Sequence, residues 1–313
     1  MIVVLTGGAG FIGSHIAEAL VARGDTVRVI DNLSSGRLSN LDPVKGKVRF
    51  IQGSCGDEKL MMEALEGADA VVHQAALTSV QRSMRSPLET FRETLAASVT
   101  TLECARLRGV KRFIYAASSS AYGNAQVERK HEGLYPAPLS PYAASKVSLE
   151  MFAQSYSRGF GLMTVGLRYF NVFGPRQDPS SEYAAVIPRF IKLMLAGNPP
   201  VITGDGDQSR DFTFVRNVVA ANLRALEIPL EPTGFVANVA TGKKVTLPEL
   251  VEGLNKVSGL RLSPQFGPAR PGDVRHSLAD LRHAQDVLGY KPQVDFLEGL
   301  AETWKHYKEA SSA

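Results

Sequence analysis

The chain has little of what marks metal centres, membrane proteins and nucleic-acid-binding tails. It has two cysteines, Cys55 and Cys104, without CxxC spacing, which argues for reduced thiols and against a metal site. Its 35 basic residues face 31 acidic ones and form no basic block, so no nucleic-acid partner is expected. The apolar start, MIVVLTGGAG, is too short for a membrane span and has no cleavage-site pattern. These absences predict a cytoplasmic protein with no membrane partner.

Short β-branched runs alternate with helical stretches in the first part of the chain. Apolar runs predict strands at 2–6, 26–31, 48–53, 69–76, 112–118 and 163–171. Helical patterns lie between most of them, notably at 11–24, 57–66, 87–108 and 142–158. This alternation predicts an α/β fold with a doubly wound parallel sheet of the Rossmann type.

Prolines break the regularity after residue 174. We predict a nucleotide-binding domain over 1–174 and a smaller, mostly helical substrate lobe over 175–313. The run at 235–240, FVANVA, is expected to rejoin the main sheet.

A glycine motif follows the first predicted strand. Residues 8–13 satisfy GxGxxG, and Gly7, Gly10 and Gly13 give the wider GxxGxxG spacing. Glycine is needed where a chain turns sharply beside a pyrophosphate and where the next helix packs closely. Asp31 ends the second predicted strand, where a carboxylate binds the ribose diol and repels a 2′-phosphate. The motif predicts NAD binding; the alternative is a flexible strand-helix turn.

The segment LSPYAASKVSLEMFAQ predicts a helix that begins at Pro141 after the N-cap Ser140. Tyr142 and Lys146 then lie one turn apart on one face. A tyrosine has a pKa of about 10, and a neighbouring ammonium and a positive nicotinamide ring would favour its phenolate. The pair is therefore a candidate base and its partner; the alternative is a packed tyrosine beside a solvated lysine.

Three serines, Ser118, Ser119 and Ser120, end the fifth predicted strand in YAASSSAYG. Open parallel sheets bind ligands at the carboxyl ends of their strands, so these hydroxyls are candidate site residues. Alternatively, they only satisfy backbone groups at the strand end.

With TGGAGFIG, Asp31, HQAA at 73–76, SSSAYG and YAASK, the sequence resembles the extended short-chain dehydrogenase/reductases. The segments LRYFNVFGPRQ (167–177), SRDFTFV (209–215) and ARPGDVRHSLAD (269–280) resemble the UDP-hexose 4-epimerases in particular. The resemblance implies an NAD cofactor, a UDP-sugar substrate and a homodimer paired through the helices at 87–108 and 142–158.

The resemblance also implies residue roles. Tyr142 would be the base, Lys146 its partner and Ser118 a third catalytic hydroxyl. Asn171 and Arg210 would contact the diphosphate. The implied cofactor site is Gly7, Gly10, Phe11, Ile12, Gly13, Asp31, Asn32, Ser35, Gly36, Ser54, Cys55, Ala75, Ala76, Thr78, Tyr142, Lys146 and Tyr169. The implied substrate site is Thr78, Ser79, Ser118, Ser119, Asn171, Ala185, Val186, Arg210, Arg270, Asp273 and Ser277.

Two positions depart from the family pattern. Ser54 stands where many relatives have an aspartate that holds the adenine, and Leu95 stands where relatives often have an asparagine. Leu95 cannot make the polar contact of that asparagine.

The serine triplet also bears on the reaction. In the resembling family every member first oxidises C4 of the sugar, and dehydratases and decarboxylases then use carboxyl groups near the catalytic hydroxyl. Here those positions are Ser119, Ser120 and Ala121, which cannot transfer a proton as a carboxyl group does. We therefore predict C4 epimerisation through a transient 4-keto sugar and bound NADH.

The substrate is predicted from one position. Ser277 aligns with a pocket-wall residue that is small in epimerases accepting N-acetylhexosamines, which favours UDP-GlcNAc/UDP-GalNAc as well as UDP-Glc/UDP-Gal. A UDP-glucuronate 4-epimerase is an alternative, with Arg82 and Arg176 as candidate partners of the uronate. Less favoured are a dehydratase or decarboxylase, and a non-catalytic NAD-binding scaffold, which would be expected to lose Tyr142 or Lys146.

Overall fold

The computed structural model describes residues 1–179, 185–231, 234–268 and 275–312. Its strands, in chain order, are β1 (Ile2–Thr6), β2 (Thr26–Asp31), β3 (Val48–Gln52), β4 (Ala70–His73), β5 (Arg112–Ser118), β6 (Met163–Tyr169), β7 (Val172–Phe173), β8 (Val201–Thr203), β9 (Ser209–Arg210), β10 (Thr213–Phe214), β11 (Gly234–Val239), β12 (Val245–Thr246), β13 (Gln265–Gly267) and β14 (His276–Ser277).

The helices follow the same order. The α-helices are α1 (Phe11–Ala22), α2 (Glu58–Ala64), α3 (Val80–Arg85), α4 (Pro87–Thr90), α5 (Ala97–Leu107), α6 (Pro141–Phe160), α7 (Val186–Leu195), α8 (Val215–Glu227), α9 (Leu247–Ser258), α10 (Arg282–Leu288) and α11 (Phe296–Ser312). Leu38–Val44 and Ser119–Tyr122 are 3-10 helices, and Phe91–Ala96 is a π-helix between α4 and α5.

Seven strands of the described residues form one parallel sheet in the order β11-β6-β5-β4-β1-β2-β3. The order reverses beside β1, as in doubly wound sheets, so a crevice opens at the carboxyl ends of β1 and β4. The predicted Rossmann-type fold is confirmed.

Buried apolar clusters lie on both faces of this sheet. One cluster joins the sheet to α1, α8 and α10. The other joins it to α2, α5 and α6. Burial on both faces explains why the strands are continuous apolar runs rather than alternating ones.

Helix α6 is placed by its ends and by one buried ion pair. The Ser140 side chain accepts a hydrogen bond from the Ala143 backbone at the N-terminus, as the sequence predicts, and Gly161 ends the helix in a left-handed conformation. The Arg168 guanidinium on β6 donates to both oxygens of Glu150 on α6, at 2.9 and 2.6 Å. This pair fixes the face of α6 that carries Tyr142 and Lys146.

The chain after residue 174 contributes both to a helical lobe and to the main sheet. Phe173 and residues of α7, α9 and α11 form a separate apolar cluster, the core of a mostly helical lobe. Strand β11 lies beside β6 in the main sheet, where the run 235–240 was expected, and α8 packs on that sheet. The boundary at 174 between two domains stays a prediction.

Two differences from the predicted elements lie close to the strand ends and to Leu95. Strand β4 ends at His73 rather than continuing to residue 76, so Gln74 and the alanines after it lie in a loop. The helix predicted at 87–108 is divided by the π-helix, which carries Leu95 toward the apolar cluster beside α2 and α5.

Candidate active site

A cavity of about 880 Å³ lies at the carboxyl ends of the main strands. Most of the predicted site residues line it. They are Gly7, Gly10, Phe11, Ile12, Gly13, Asp31, Asn32, Ser35, Ser54, Cys55, Ala75, Ala76, Thr78, Ser118, Ser119, Tyr142, Lys146, Tyr169, Asn171, Ala185, Arg210 and Ser277. The fold therefore brings the glycine turn, the serines and the Tyr-Lys pair to one place.

Five predicted residues are not among those that line the cavity. Gly36 packs beside the Asp31 carboxylate, Ser79 is the N-cap of α3, and Val186 begins α7 among the apolar residues of the lobe. Arg270 and Asp273 lie outside the described residues.

The glycine turn after β1 leaves no room for side chains. Gly7 has a φ of +68°, and a Cβ on it would lie 2.7 Å from the Ala75 nitrogen. A Cβ on Gly13 would lie 2.1 Å from the Gly7 oxygen. Helix α1 therefore begins directly against the turn, and at Gly7, Gly10 and Gly13 the cavity is bordered by backbone without a side chain.

Asp31 ties this turn to the loop after β2. Its two carboxylate oxygens accept hydrogen bonds from the Ala9 and Leu33 backbone nitrogens, at 2.9 and 2.8 Å. The carboxylate borders the cavity and has lone pairs left to accept from a diol. It therefore has both a structural role and the chemistry to bind ribose.

The loop after β3 adds two further residues. The Ser54 hydroxyl, in the place of the aspartate of many relatives, accepts a hydrogen bond from the Gly56 nitrogen at 3.1 Å. Burial raises the pKa of the Cys55 thiol to about 11, so this thiol stays protonated at neutral pH. Ser54 thus supplies a neutral polar group to the cavity, and Cys55 a small apolar one.

Lys146 is buried directly beneath the cavity floor. Its Nζ donates a hydrogen bond to the Ala116 carbonyl at 2.8 Å and lies 5.9 Å from the centre of the Tyr142 ring. Burial lowers the pKa of this ammonium to about 8.

The Tyr142 phenol does not have the lowered pKa that the sequence analysis expects from Lys146. Burial raises its pKa above the ordinary value, and a side-chain hydrogen bond with Ser118 opposes that effect. The Lys146 ammonium is directed at the Ala116 carbonyl, which explains why it does not reverse the effect of burial. The phenolate needs a further positive charge nearby.

Ser118 ends β5 and is the N-cap of the 3-10 helix that follows. Its Oγ accepts hydrogen bonds from the Ser120 nitrogen at 3.2 Å and from the Ser120 hydroxyl at 2.8 Å. The triplet is therefore a strand-end cap and, at the same time, part of the cavity wall.

Sequence reasoning missed a polar network below the cavity. The Tyr169 hydroxyl accepts a hydrogen bond from the Asn222 amide at 2.8 Å and exchanges hydrogen bonds with the Gln74 amide at 3.1 and 3.2 Å. Gln74 stands inside the quoted HQAA segment, which was the only signal for it. Asn222 lies on α8 and has no sequence signal.

Other cavity-lining residues were also missed. Asn40 donates to the Ala9 carbonyl at 2.8 Å from a 3-10 helix that the sequence analysis does not predict. Further polar residues of the lining that were not predicted as site residues are Ser34, Arg37, Glu93, Lys130, Gln177, Asp178 and His276. Within the described residues, no cluster of histidine, cysteine, aspartate or glutamate is placed to hold a metal ion.

Comparison with known proteins relates this arrangement to a family. The sequence model of the NAD dependent epimerase/dehydratase family matches residues 3–240. The chain belongs to this family. It is 36% identical over 312 residues to a UDP-glucose 4-epimerase of Mycolicibacterium smegmatis, covering 98% of this chain and 99% of that protein.

Two solved structures of family members are similar over nearly the whole chain. A UDP-N-acetylglucosamine 4-epimerase from Methanobrevibacter ruminantium M1, in complex with UDP-N-acetylmuramic acid, shares 41% identity and a TM-score of 0.94, covering 98% of both chains. A UDP-glucose 4-epimerase with UDP-glucose from Thermotoga maritima shares 38% identity and a TM-score of 0.94, covering 99% of this chain and 100% of its own. The resemblance to UDP-hexose 4-epimerases is confirmed.

As in this epimerase/dehydratase family generally, the cofactor is NAD. The residues of the cavity fit it: a Cβ at Gly7 or Gly13 would fill the space beside the turn, and Asp31 presents an acceptor at the end of β2. A hydroxyl cluster and a lysine stand at the other end. Residue-level assignments to the cofactor stay predictions.

Among the described residues, no helix of this epimerase-family chain is both long and apolar enough to cross a membrane.

One buried histidine near the cavity predicts how stability depends on pH. His73 is fully buried between the hydroxyls of Thr6 and Ser98, each 2.7 Å away, and burial lowers its pKa to about 3. An unfolded chain protonates this histidine near pH 6.5, so stability present above that pH is lost as the pH falls toward 3. Each pH unit in that window costs about 1.4 kcal/mol.

Denaturant titrations from pH 7 to 4.5 measure this effect. The chain is expected to lose about 2–3 kcal/mol from His73 over that range, and His73→Gln is expected to flatten the slope. The matched variant His131→Gln removes an exposed histidine and is expected to keep the steep slope. An unchanged slope in His73→Gln would contradict the assignment.

Proposed function

We propose that this chain interconverts UDP-hexoses that differ at C4, through a 4-keto sugar that stays in the cavity. It is an NAD-dependent UDP-sugar 4-epimerase. UDP-GlcNAc/UDP-GalNAc and UDP-Glc/UDP-Gal are the proposed pairs. ¹H NMR after incubation with UDP-glucose or UDP-N-acetylglucosamine tests this: the 4-epimer is expected, and release of a 4-keto-6-deoxy sugar would contradict it.

One observation carries the choice of reaction: the turn after β5 supplies hydroxyls and no carboxyl group. Elsewhere among the described residues that line the cavity, the carboxylates are Asp31, Glu93 and Asp178. Asp31 accepts a hydrogen bond from the Ala9 nitrogen in the glycine turn, and Asp178 pairs with Arg37 at 3.4 Å. Together with burial, the charges of Glu93 and Asp31 raise the pKa of the Cys55 thiol. All three carboxylates are thus placed with the loops that we propose for cofactor binding. Dehydration would need an acid and a base for C5 and C6 of the sugar beside Ser118, and none of these carboxylates is assigned to that position.

The proposed chemistry uses three side chains. Tyr142 takes the proton of the C4 hydroxyl and returns it, and Ser118 donates a hydrogen bond to the C4 oxygen. NAD, when bound, would supply the reversible hydride acceptor for C4 and a positive ring that favours the Tyr142 phenolate. Lys146, held on the Ala116 carbonyl, keeps a cation below Tyr142 throughout.

Two residues are proposed to bind the diphosphate. Asn171 has a φ of +35°, which is unusual for a residue with a side chain, and its amide donates to the Asp211 carbonyl at 3.1 Å. Arg210 lines the same cavity, and its guanidinium donates to the Ser209 and Arg275 carbonyls at 3.0 and 3.1 Å. An amide and a guanidinium in the lining of one cavity suit a doubly charged anion.

The breadth of substrate is proposed from Ser277. This residue, on β14, lies in the cavity wall, and its small side chain leaves space beside the substrate. The similar proteins named above include a UDP-N-acetylglucosamine 4-epimerase and a UDP-glucose 4-epimerase, which supports a pocket that takes both sugars.

Filling this space is expected to narrow the specificity. Ser277→Tyr is predicted to lower kcat/KM for UDP-N-acetylglucosamine by about 100-fold, because the ring would occupy the space of the acetamido group. UDP-glucose turnover should change less than about fivefold. Comparable losses for both substrates in steady-state assays would contradict a role in specificity, and Ser277→Ala serves as the control of unchanged size.

The UDP-glucuronate alternative is less well supported. Its candidate partners for the uronate already pair with carboxylates: Arg82 with Glu89 at 2.7 Å, and Arg176 with Glu18. Arg176 also donates to the Ser14 hydroxyl at 3.2 Å. A uronate would have to displace these internal partners.

A homodimer is proposed from the surface of the helices around α4 and α6. Large apolar side chains are exposed there, namely Met84, Leu88, Phe91, Met151, Phe152 and Phe160. Single exposed apolar side chains are normal on a monomer, but a group of this kind is typical of a protein–protein interface. A cytoplasmic location stays a prediction.

Sedimentation velocity tests the dimer. Leu88→Glu, at a side chain that is 69% exposed, is expected to reduce the mass from twice 33.8 kDa to 33.8 kDa. Leu230→Glu changes an exposed leucine outside the patch and should leave the dimer intact. A wild-type chain that sediments as a monomer would contradict the proposal.

A further inference from the structure

The hydroxyl of Ser120 contacts the proposed catalytic serine rather than standing free in the cavity wall. Ser120 Oγ lies 2.8 Å from Ser118 Oγ and donates to it, and the Ser120 nitrogen donates to the same atom at 3.2 Å. The 3-10 helix Ser119–Tyr122 produces this geometry, because its first turn folds Ser120 back over the end of β5. Both contacts are local and belong to the strand-end cap.

A serine hydroxyl has two lone pairs and one proton. With both lone pairs of Ser118 accepting from Ser120, the remaining capacity of Ser118 is its own O–H. That proton must be donated. Ser118 and Tyr142 line the same cavity, and Ser118 partly offsets the rise that burial causes in the pKa of the Tyr142 phenol, so Tyr142 is the proposed acceptor in the free site. Hydrogen bonds accepted by a hydroxyl also make it a stronger donor.

We infer that Ser120 is a positioning residue, which holds Ser118 in the orientation where its one O–H can only donate: to Tyr142 in the free site, and to the C4 oxygen once the substrate is bound. The inference rests on the proposed role of Ser118. It gives the third serine of the triplet a task that a serine or threonine hydroxyl can perform and an alanine cannot. In the proposed reaction, the C4 oxygen of the sugar accepts a hydrogen bond from this donor in every turnover.

The direct test is a double-mutant cycle in the full-length chain with bound NAD, assayed on UDP-glucose and UDP-N-acetylglucosamine. Ser120→Ala keeps the backbone donor and removes only the hydroxyl, so kcat is expected to fall about five- to tenfold with KM within about twofold. Ser120→Thr is expected to restore kcat. In the double variant Ser118→Ala/Ser120→Ala, kcat should equal that of Ser118→Ala, because Ser120 acts through Ser118.

The pH–rate profile is a second test, because a merely structural role of Ser120 would not shift its acidic limb. Weaker donation from Ser118 leaves the Tyr142 phenolate of the free enzyme less stabilised, so the acidic limb of kcat/KM is expected to shift to higher pH in Ser120→Ala. Ser120→Thr should return the limb to its wild-type position.

The outcomes separate this inference from the proposed function. If Ser118→Ala keeps full turnover, the catalytic role of Ser118 is wrong and the inference fails with it. If Ser118→Ala is impaired and the two losses multiply in the double variant, Ser120 acts on the substrate independently and only the inference is overturned. Full kcat in Ser120→Ala would overturn it as well.

Discussion

Tyr142→Phe is expected to lower kcat for epimerisation by about 10³-fold, with NAD content and KM little changed. General-base catalysis contributes roughly 10²–10⁴-fold, and among the described residues no other group of the cavity's serine end is placed to take the C4 proton. The substitution removes one oxygen and keeps the ring. Steady-state kinetics and the absorbance of bound cofactor measure the two effects.

The matched control is Tyr156→Phe on the same helix. Tyr156 is half-buried, burial and the nearby Glu103 raise the pKa of its phenol, and it does not line the cavity. This variant is expected to keep wild-type kcat. If Tyr142→Phe turned over within about tenfold of the wild type, Tyr142 could not be the base.

Gly13→Ala is expected to abolish most NAD binding. The added methyl carbon would lie 2.1 Å from the Gly7 oxygen and 2.8 Å from the Gly8 Cα, both backbone atoms, so the turn must move. Overpacking of this kind costs about 1–3 kcal/mol of stability, and displacement of the turn should lower NAD affinity at least tenfold. Cofactor content after purification and denaturant titration measure both.

Gly159→Ala is the matched control for this substitution. Gly159 is exposed in α6, and a Cβ there meets nothing within 4 Å. Since alanine favours helix over glycine, stability should rise by up to about 1 kcal/mol with NAD content unchanged. Full NAD content in Gly13→Ala would show that the turn has space for a side chain, against the geometry described.

The sequence predicts well what local patterns determine. Apolar runs locate the strands of the main sheet, and Ser140 with Pro141 locates the start of α6. The glycine spacing locates the turn that Gly7 and Gly13 form. In each case the determining interaction lies within a few residues, so it can be derived without knowing the rest of the fold.

Features that depend on distant residues could not be predicted. The network of Gln74, Tyr169 and Asn222 joins a loop, a strand and a helix far apart in sequence. The raised pKa of Tyr142 follows from burial, which is a property of the assembled fold. The π-helix over Phe91–Ala96 likewise has no local pattern that favours it over a continuous α-helix.

The serine triplet shows both sides of this limit. Its lack of carboxyl groups is visible in sequence and favours epimerisation. The hydrogen bonds from Ser120 to Ser118 depend on the backbone turn after β5, and the sequence alone allowed the serines to be no more than a strand end.

The central claim is C4 epimerisation with the hydrogen of C4 returned to the same carbon. NMR of UDP-glucose and UDP-N-acetylglucosamine labelled with deuterium at C4 tests it most directly. The account predicts 4-epimers that keep the label at C4, with none acquired from solvent and no 4-keto-6-deoxy product. Loss of the label to water, its transfer to C6, or the absence of either 4-epimer would contradict the account.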